Sequence, residues 1–264
     1  MNNKLILLFA VITFMAGAIN AQDLNKYERS TFISKGDTLP YRILFPENFD
    51  PAKKYPLVLF LHGSGERGNN NEAQLIHGGK LFLKDEIRNN FPAIVVFPQC
   101  PKESYWSNVE IKTNDTGKRE FHFQHKGKPT QAMDLLLGLT KRLSDKPFVD
   151  KSRIYLGGLS MGGMGTFELL RRKPKLFAAA FSICGGDNPK NVKKYKHVPL
   201  WIFHGVKDDI VPPESSEIVV NALREKGADV KFTLYPDANH NSWDSTFAEP
   251  DLIPWLFSHQ LGKN

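Results

Sequence analysis

Ser160 stands in Gly158-Leu159-Ser160-Met161-Gly162, where a serine between small residues has the setting that nucleophilic attack on an acyl carbonyl requires. A serine hydroxyl attacks only when a neighbouring base takes its proton, and it must project from a tight turn with a backbone donor beside it. Such a turn crowds the chain, which is why glycines flank it; Gly163 and Gly165 extend the small surface. Five-residue patterns of this kind also arise by chance, so the other reacting groups decide. A nucleophile, acid, histidine order calls for an acidic residue after a later strand and a histidine near the C-terminus. His204-Gly205-Val206-Lys207-Asp208-Asp209-Ile210-Val211-Pro212 offers two acids, Asp208 and Asp209, and Tyr235-Pro236-Asp237-Ala238-Asn239-His240 offers His240. In these roles His240 takes the Ser160 proton and returns it to the leaving group, while the acid orients the imidazole and stabilises its charged form.

A tetrahedral intermediate also needs backbone N–H groups aimed at its oxygen. Met161, the residue after the serine, offers one. The loop His62-Gly63-Ser64-Gly65-Glu66-Arg67-Gly68 offers the other, with Ser64 as the chosen donor. The Ser64 hydroxyl also follows a strand, but no helix follows it at once, so it is not a second nucleophile.

These residues need a scaffold of strand ends. Leu57 to Leu61, Ala93 to Phe97, Ile154 to Leu156, Ala178 to Ile183, Leu200 to Phe203 and Lys231 to Tyr235 read as buried strands. Thr31 to Ser34 and Tyr41 to Phe45 read as an opening antiparallel pair turned at Gly36-Asp37. Helical spacing marks Thr130 to Leu143, Gly163 to Arg172, Pro213 to Lys226 and Asp251 to His259. This alternation predicts an α/β fold with a mostly parallel sheet covered on both faces. Glu103 to Lys128 is polar and lacks clear periodicity, which predicts a long loop walling or covering the site. Within it Trp106, and further on Trp243, are candidate flat walls for substrate binding.

At 41% hydrophobic and 24% charged residues, the composition is that of a soluble globular chain with one sizeable core. Residues 1–21 read as a signal peptide: Lys4 precedes an uncharged run from Leu5 to Ala18, and Ala21 marks a cleavage point. The mature domain is then 22–264, without a membrane span, and the destination is secreted or periplasmic. The net charge of +7 is dispersed in short clusters such as Arg171-Arg172-Lys173, with no aromatic-basic pattern that would bind nucleic acid. No His/Cys/Asp group has convincing metal spacing, so neither a metal nor another cofactor is expected. Cys100 and Cys184 are the only cysteines.

Taken together, these motifs resemble the α/β-hydrolase superfamily over most of the mature chain. Within it the chain is similar to exported esterases once labelled predicted peptidases, near the dienelactone hydrolase, phospholipase/carboxylesterase and feruloyl/acetylxylan esterase groups. The stretches Leu61 to Gly68, Pro98-Gln99-Cys100, Gly158 to Gly163, His204 to Asp208 and His240-Asn241-Ser242-Trp243 carry the likeness. The resemblance implies that Asp208, three residues after Gly205, is the acid. It implies one eight-stranded sheet ordered 1-2-4-3-5-6-7-8. Two strands would then separate Cys100 from Cys184 by roughly 14 Å, too far for a disulfide, so two unpaired thiols are expected. The implied activity is hydrolysis of carboxylic esters, feruloyl or acetyl esters on plant polysaccharide among them, by a small-molecule or polysaccharide-linked substrate reaching Ser160. The rival readings are a prolyl-oligopeptidase-like serine peptidase, whose relatives usually carry a gating domain, and a non-catalytic binding module on the same fold.

Overall fold

A computed structural model describes residues 23–262. The expected leader, 1–21, lies outside the described residues. Among the described residues no helix is long and apolar enough to cross a membrane.

The chain opens with antiparallel β1 (Glu28–Ser34) and β2 (Asp37–Leu44), joined through Lys35 and Gly36, both at positive φ. It continues through β3 (Tyr55–Leu61), α1 (Asp85–Asn90), β4 (Ile94–Pro98), a hairpin of β5 (Val109–Thr113) and β6 (Arg119–Phe123), and α2 (Gln131–Ser144). Next come β7 (Val149–Leu159), α3 (Met161–Arg172), β8 (Ala179–Ile183), β9 (Leu200–Gly205), α4 (Glu214–Glu225), β10 (Val230–Tyr235), α5 (Trp243–Ala248) and α6 (Leu252–Ser258). The large sheet runs β1-β2-β4-β3-β7-β8-β9-β10. Counting only its own strands in chain order, this is 1-2-4-3-5-6-7-8. From β4 onward all neighbours are parallel. The fold is α/β, as the alternation of strands and helices predicts.

Both faces of the sheet are covered because the central strands bury apolar side chains on both sides. Along β3, Leu57, Leu59 and Leu61 enter one core with Met133, Leu136, Phe167, Leu170, Val219 and Leu223 of α2, α3 and α4. Val58 and Phe60 point the other way, into a second core with Leu81, Phe82, Leu252, Ile253 and Leu256. The strands thereby become rigid posts, and their C-terminal ends become the place where loops gather. Cys100 and Cys184 are unpaired and buried.

One expectation is corrected. The segment Glu103 to Lys128 is not a structureless loop, since β5 and β6 pair across it from Val109↔Phe123 to Thr113↔Arg119. Its alternation of Val109, Ile111, Phe121 and Phe123 is short and diluted by charge. The turn signal is a side chain: Asn114 Oδ1 accepts from the Thr116 and Lys118 N–H groups, and Gly117 takes φ 80°. The hairpin is anchored. Asn188 donates through Nδ2 to Phe123 O at 2.9 Å, and Asn191 through Nδ2 to Gln124 O at 3.2 Å.

Candidate active site

Ser160 lies between β7 and α3, with φ 52° and ψ −118°. That backbone is strained by about 1–3 kcal/mol, and the surroundings hold it. Its N–H donates to Ile183 O at 2.8 Å, which ties the turn to β8. Glycine is obligatory at Gly158 and Gly162, because a Cβ on either would overlap the Gly162 or Leu61 backbone where the helix crosses the sheet. The strain aims the hydroxyl at a base. Ser160 Oγ lies 3.0 Å from His240 Nε2, and His240 Nδ1 lies 2.8 and 3.0 Å from the two oxygens of Asp208. His240 comes from the loop after β10 and Asp208 from the loop after β9. Asp209, the other acid considered, is exposed, and its N–H bonds to Asn239 Oδ1.

Asp208 is held by more than His240. The Ile210 and Val211 N–H groups donate to Oδ1 at 3.0 and 2.9 Å. His204, fully buried on β9, shares its Nε2–H between Asp208 Oδ2 at 3.2 Å and Val211 O at 2.9 Å. Its Nδ1 meets Ser216 Oγ at 2.7 Å, so the ring is fixed at both nitrogens. Burial pushes the Asp208 pKa up, but hydrogen bonds from His204, His240 and the Val211 N–H outweigh it and hold the carboxyl well below its ordinary range. Asp208 is therefore a buried carboxylate, suited to stabilise a positive imidazole.

The second half of the site is the loop after β3. An added Cβ on Gly63 would sit 3.7 Å from Ser160 Cβ, so this loop lies against the serine. His62 fixes its direction. The Cys100 N–H donates to His62 Nε2 at 2.9 Å, which leaves Nδ1–H to donate to Gly63 O at 2.6 Å. Burial keeps His62 neutral by lowering its pKa to about 4. Because the Gly63–Ser64 peptide is planar and trans, pinning the Gly63 carbonyl also sets where the Ser64 N–H points. Arg67 holds the Ser64 carbonyl through Nε at 3.0 Å. Among the described residues neither the Ser64 N–H nor the Met161 N–H has a hydrogen-bond partner. Met161 is the first residue of α3, so its N–H carries the positive end of the helix dipole. The pair is available to an oxyanion.

The two tryptophans part company. Trp243 is half-buried with its ring centroid 5.4 Å from that of His240 and 4.9 Å from that of His77, at the mouth of the site. Trp106 is fully buried, packed edge-on to His62 and against Gly165. It backs the loop that carries Ser64 and has no face open to a substrate, which corrects its assignment as a wall. Sequence reasoning gave no role to His62, Arg67, His204 or Cys184. The one signal for the histidines was a repeated His-Gly pair at a strand end, His62-Gly63 and His204-Gly205.

The chain is similar to known esterases and also, at 21–23% identity, to dipeptidyl peptidases. A family profile described as Phospholipase/Carboxylesterase matches residues 49–249. An acyl-protein thioesterase 1 of Emericella nidulans is 31% identical over 70% of this chain and 83% of its own length. A bifunctional acetylxylan esterase/xylanase of Neocallimastix patriciarum is 26% identical over 81% of this chain, which spans only 28% of that protein. The crystal structure of a thermostable esterase, 34% identical, superposes with a TM-score of 0.79 over 90% of this chain and 64% of its own.

Proposed function

Because the chain belongs to the phospholipase/carboxylesterase family of α/β-hydrolases, we propose that it is an exported serine esterase that hydrolyses acetyl or feruloyl esters carried by plant polysaccharide. The observation that carries this reading is the hydrogen-bonded line from Ser160 Oγ through His240 to Asp208, set against two free backbone N–H groups.

In the first step Ser160 Oγ bonds to the ester carbonyl carbon as its proton passes to His240 Nε2. The developing oxyanion is held by the Ser64 and Met161 N–H groups, each such donor contributing about 100- to 1000-fold in rate. Asp208 stabilises the imidazolium, which then protonates the departing alcohol oxygen as the C–O bond breaks. Water, deprotonated by His240, attacks the acyl-enzyme; the acid leaves and the Ser160 hydroxyl is restored. No step calls on a metal or other cofactor.

Three observations support the substrate class. The relative of Neocallimastix patriciarum is named an acetylxylan esterase/xylanase. An open groove of about 410 Å³, with Asp37, Thr38, Asn69, Lys102 and Gln131 but none of the reacting residues in its lining, borders the far end of the Ser64 loop at Gly68, and its polar lining suits hydroxyls of a sugar beyond the ester. With Trp106 buried, only Trp243 remains to stack on an aromatic acyl group, which favours acetyl over feruloyl esters. Export is supported by the pattern of residues 1–21 and by no other feature.

A fluorophosphonate probe is expected to label the wild-type protein and not Ser160→Ala, and an unlabelled wild type would refute the mechanism. A panel of acetylated xylan, methyl ferulate, short p-nitrophenyl esters and a prolyl peptide sorts the substrates. Turnover of the peptide alone would replace the esterase reading with a peptidase.

A further inference from the structure

Cys184 directly follows β8 with φ 41°, a left-handed conformation that is unusual for a residue with a side chain. Its Sγ, one carboxylate oxygen of Asp208 and one ring nitrogen of His240 all lie within 4.8 Å of one another. Cys184 and Asp208 are buried, whereas the His240 side chain is 20% exposed and opens the cluster to the mouth of the site. The Ser242 hydroxyl, fully buried beside the thiol, has no well-formed hydrogen bond of its own. Thiolate, imidazole and carboxylate are the donor set of zinc, which binds them at about 2.0–2.3 Å in a tetrahedron. The edges of such a tetrahedron are about 3.5 Å, so the His240–Asp208 pair, hydrogen-bonded at 2.8 Å, opens slightly while the thiol closes on it by up to roughly 1 Å.

We propose that Cys184, Asp208 and His240 form an inhibitory site for a thiophilic divalent cation of the zinc type. The ion occupies the place of the hydrogen bond between His240 Nδ1 and Asp208; binding releases the thiol proton, and the single ring proton moves from Nδ1 to Nε2. A fourth position is left for Ser242 Oγ or water. The consequence for hydrolysis rests on the proposed role of His240 as the base. With the cation on Nδ1, Nε2 carries the ring proton and cannot take the one from Ser160. The site is a control point on the esterase and supplies nothing to its chemistry. It is invisible to motif spacing because positions 184, 208 and 240 follow three different strands.

The test is inhibition of p-nitrophenyl acetate hydrolysis by Zn²⁺, reversed by EDTA, in the wild type, Cys184→Ser and Cys100→Ala. Cys100 is the control because its buried thiol lies by the His62 loop. The wild type and Cys100→Ala are expected to be inhibited alike, and Cys184→Ser to need at least about tenfold more Zn²⁺. Equal sensitivity of Cys184→Ser and wild type, or a wild type that Zn²⁺ does not inhibit, would overturn the proposal. Cd²⁺ added to Ser160→Ala, which cannot turn over, is expected to give a metal–thiolate absorption band that persists in the double variant with Cys100→Ala. No band in that double variant, whose one thiol is Cys184, also overturns it. The band is read without activity, so its outcome stands apart from the fluorophosphonate test of the hydrolase reading.

Discussion

Asp187 and Asp208 are buried aspartates beyond the ends of the neighbouring strands β8 and β9, and their partners differ in kind. Asp208 accepts from two imidazoles and two backbone N–H groups, and its carboxyl is held below the ordinary range. Asp187 accepts from the Asn188 N–H, Asn191 Nδ2 and Tyr195 OH at 2.7–2.8 Å, all neutral donors. There burial dominates and pushes the pKa up to about 6. Hydrogen bonds favour the charged form in both, but at Asp187 they fall short of burial, to which the Glu168 charge adds, whereas at Asp208 those from His204, His240 and Val211, with the His240 charge, outweigh it. The first arrangement suits an imidazole that becomes cationic in the proposed reaction. The second serves position: Asn188 and Asn191, fixed by Asp187, are the residues that anchor the β5–β6 hairpin.

Exchanging each charge for an amide breaks the comparison most severely. Asp208→Asn is expected to lower kcat by roughly 10,000-fold with the fold retained, because the imidazole loses its charge partner and tautomer. Asp187→Asn is expected to leave kcat within about threefold, as it touches no reacting group. Steady-state kinetics on p-nitrophenyl acetate separates them, and comparable losses in both would erase the distinction.

A smaller effect comes from the far side of Asp208. His204→Phe removes a donor from a buried charge, worth about 1.5–3 kcal/mol, and is expected to cost 10- to 100-fold in kcat/KM. Restoring a donor with His204→Gln should recover part of the loss. A wild-type rate in His204→Phe would show that His240 and the two N–H groups suffice.

Stability against pH sharpens the contrast through its sign. The folded pKa of Asp187 is raised above its unfolded value near 4, so between about pH 4 and 6 the native state holds more protons and stability falls as pH rises. Urea unfolding should show the wild type losing about 2 kcal/mol relative to Asp187→Asn from pH 4 to pH 7. Asp208, with its folded pKa depressed, works the other way. Its contribution is complete above about pH 5 and is lost as pH falls further. A wild type whose stability difference from Asp187→Asn does not change with pH would mean that Asp187 is ionised in the fold.

The mildest change is Tyr195→Phe, which deletes one hydrogen bond to Asp187 Oδ2. It is expected to cost about 1 kcal/mol by thermal unfolding and to leave hydrolysis unaltered. A change in kcat there would link the two regions.

The order of strands and helices was legible because uninterrupted apolar runs such as Leu57 to Leu61 and Ile94 to Phe97 have no other place than a sheet buried on both faces. The glycines around Ser160 were legible for a similar reason, since backbone crowding at one turn is written in consecutive residues. The β5–β6 hairpin was not, because its apolar residues alternate over too few positions among lysines and glutamates. Trp106 was misread since an aromatic in a polar segment looks exposed until its neighbours are known; here they are His62 and Gly165.

By itself the sequence determined the α/β alternation and the turn that bears Ser160, named His240 as the base, narrowed the acid to two adjacent aspartates and, through the family resemblance, chose Asp208. The first two are local facts of composition and spacing. Only the tertiary structure decided how these groups meet and what surrounds them: His240, 80 residues away, within 3.0 Å of Ser160 Oγ, His204 behind Asp208 and Cys184 beside it. The physical reason is strand order. Parallel neighbours bring the ends of β7, β8, β9 and β10 to one edge, and which side chains meet there depends on register and burial across the sheet.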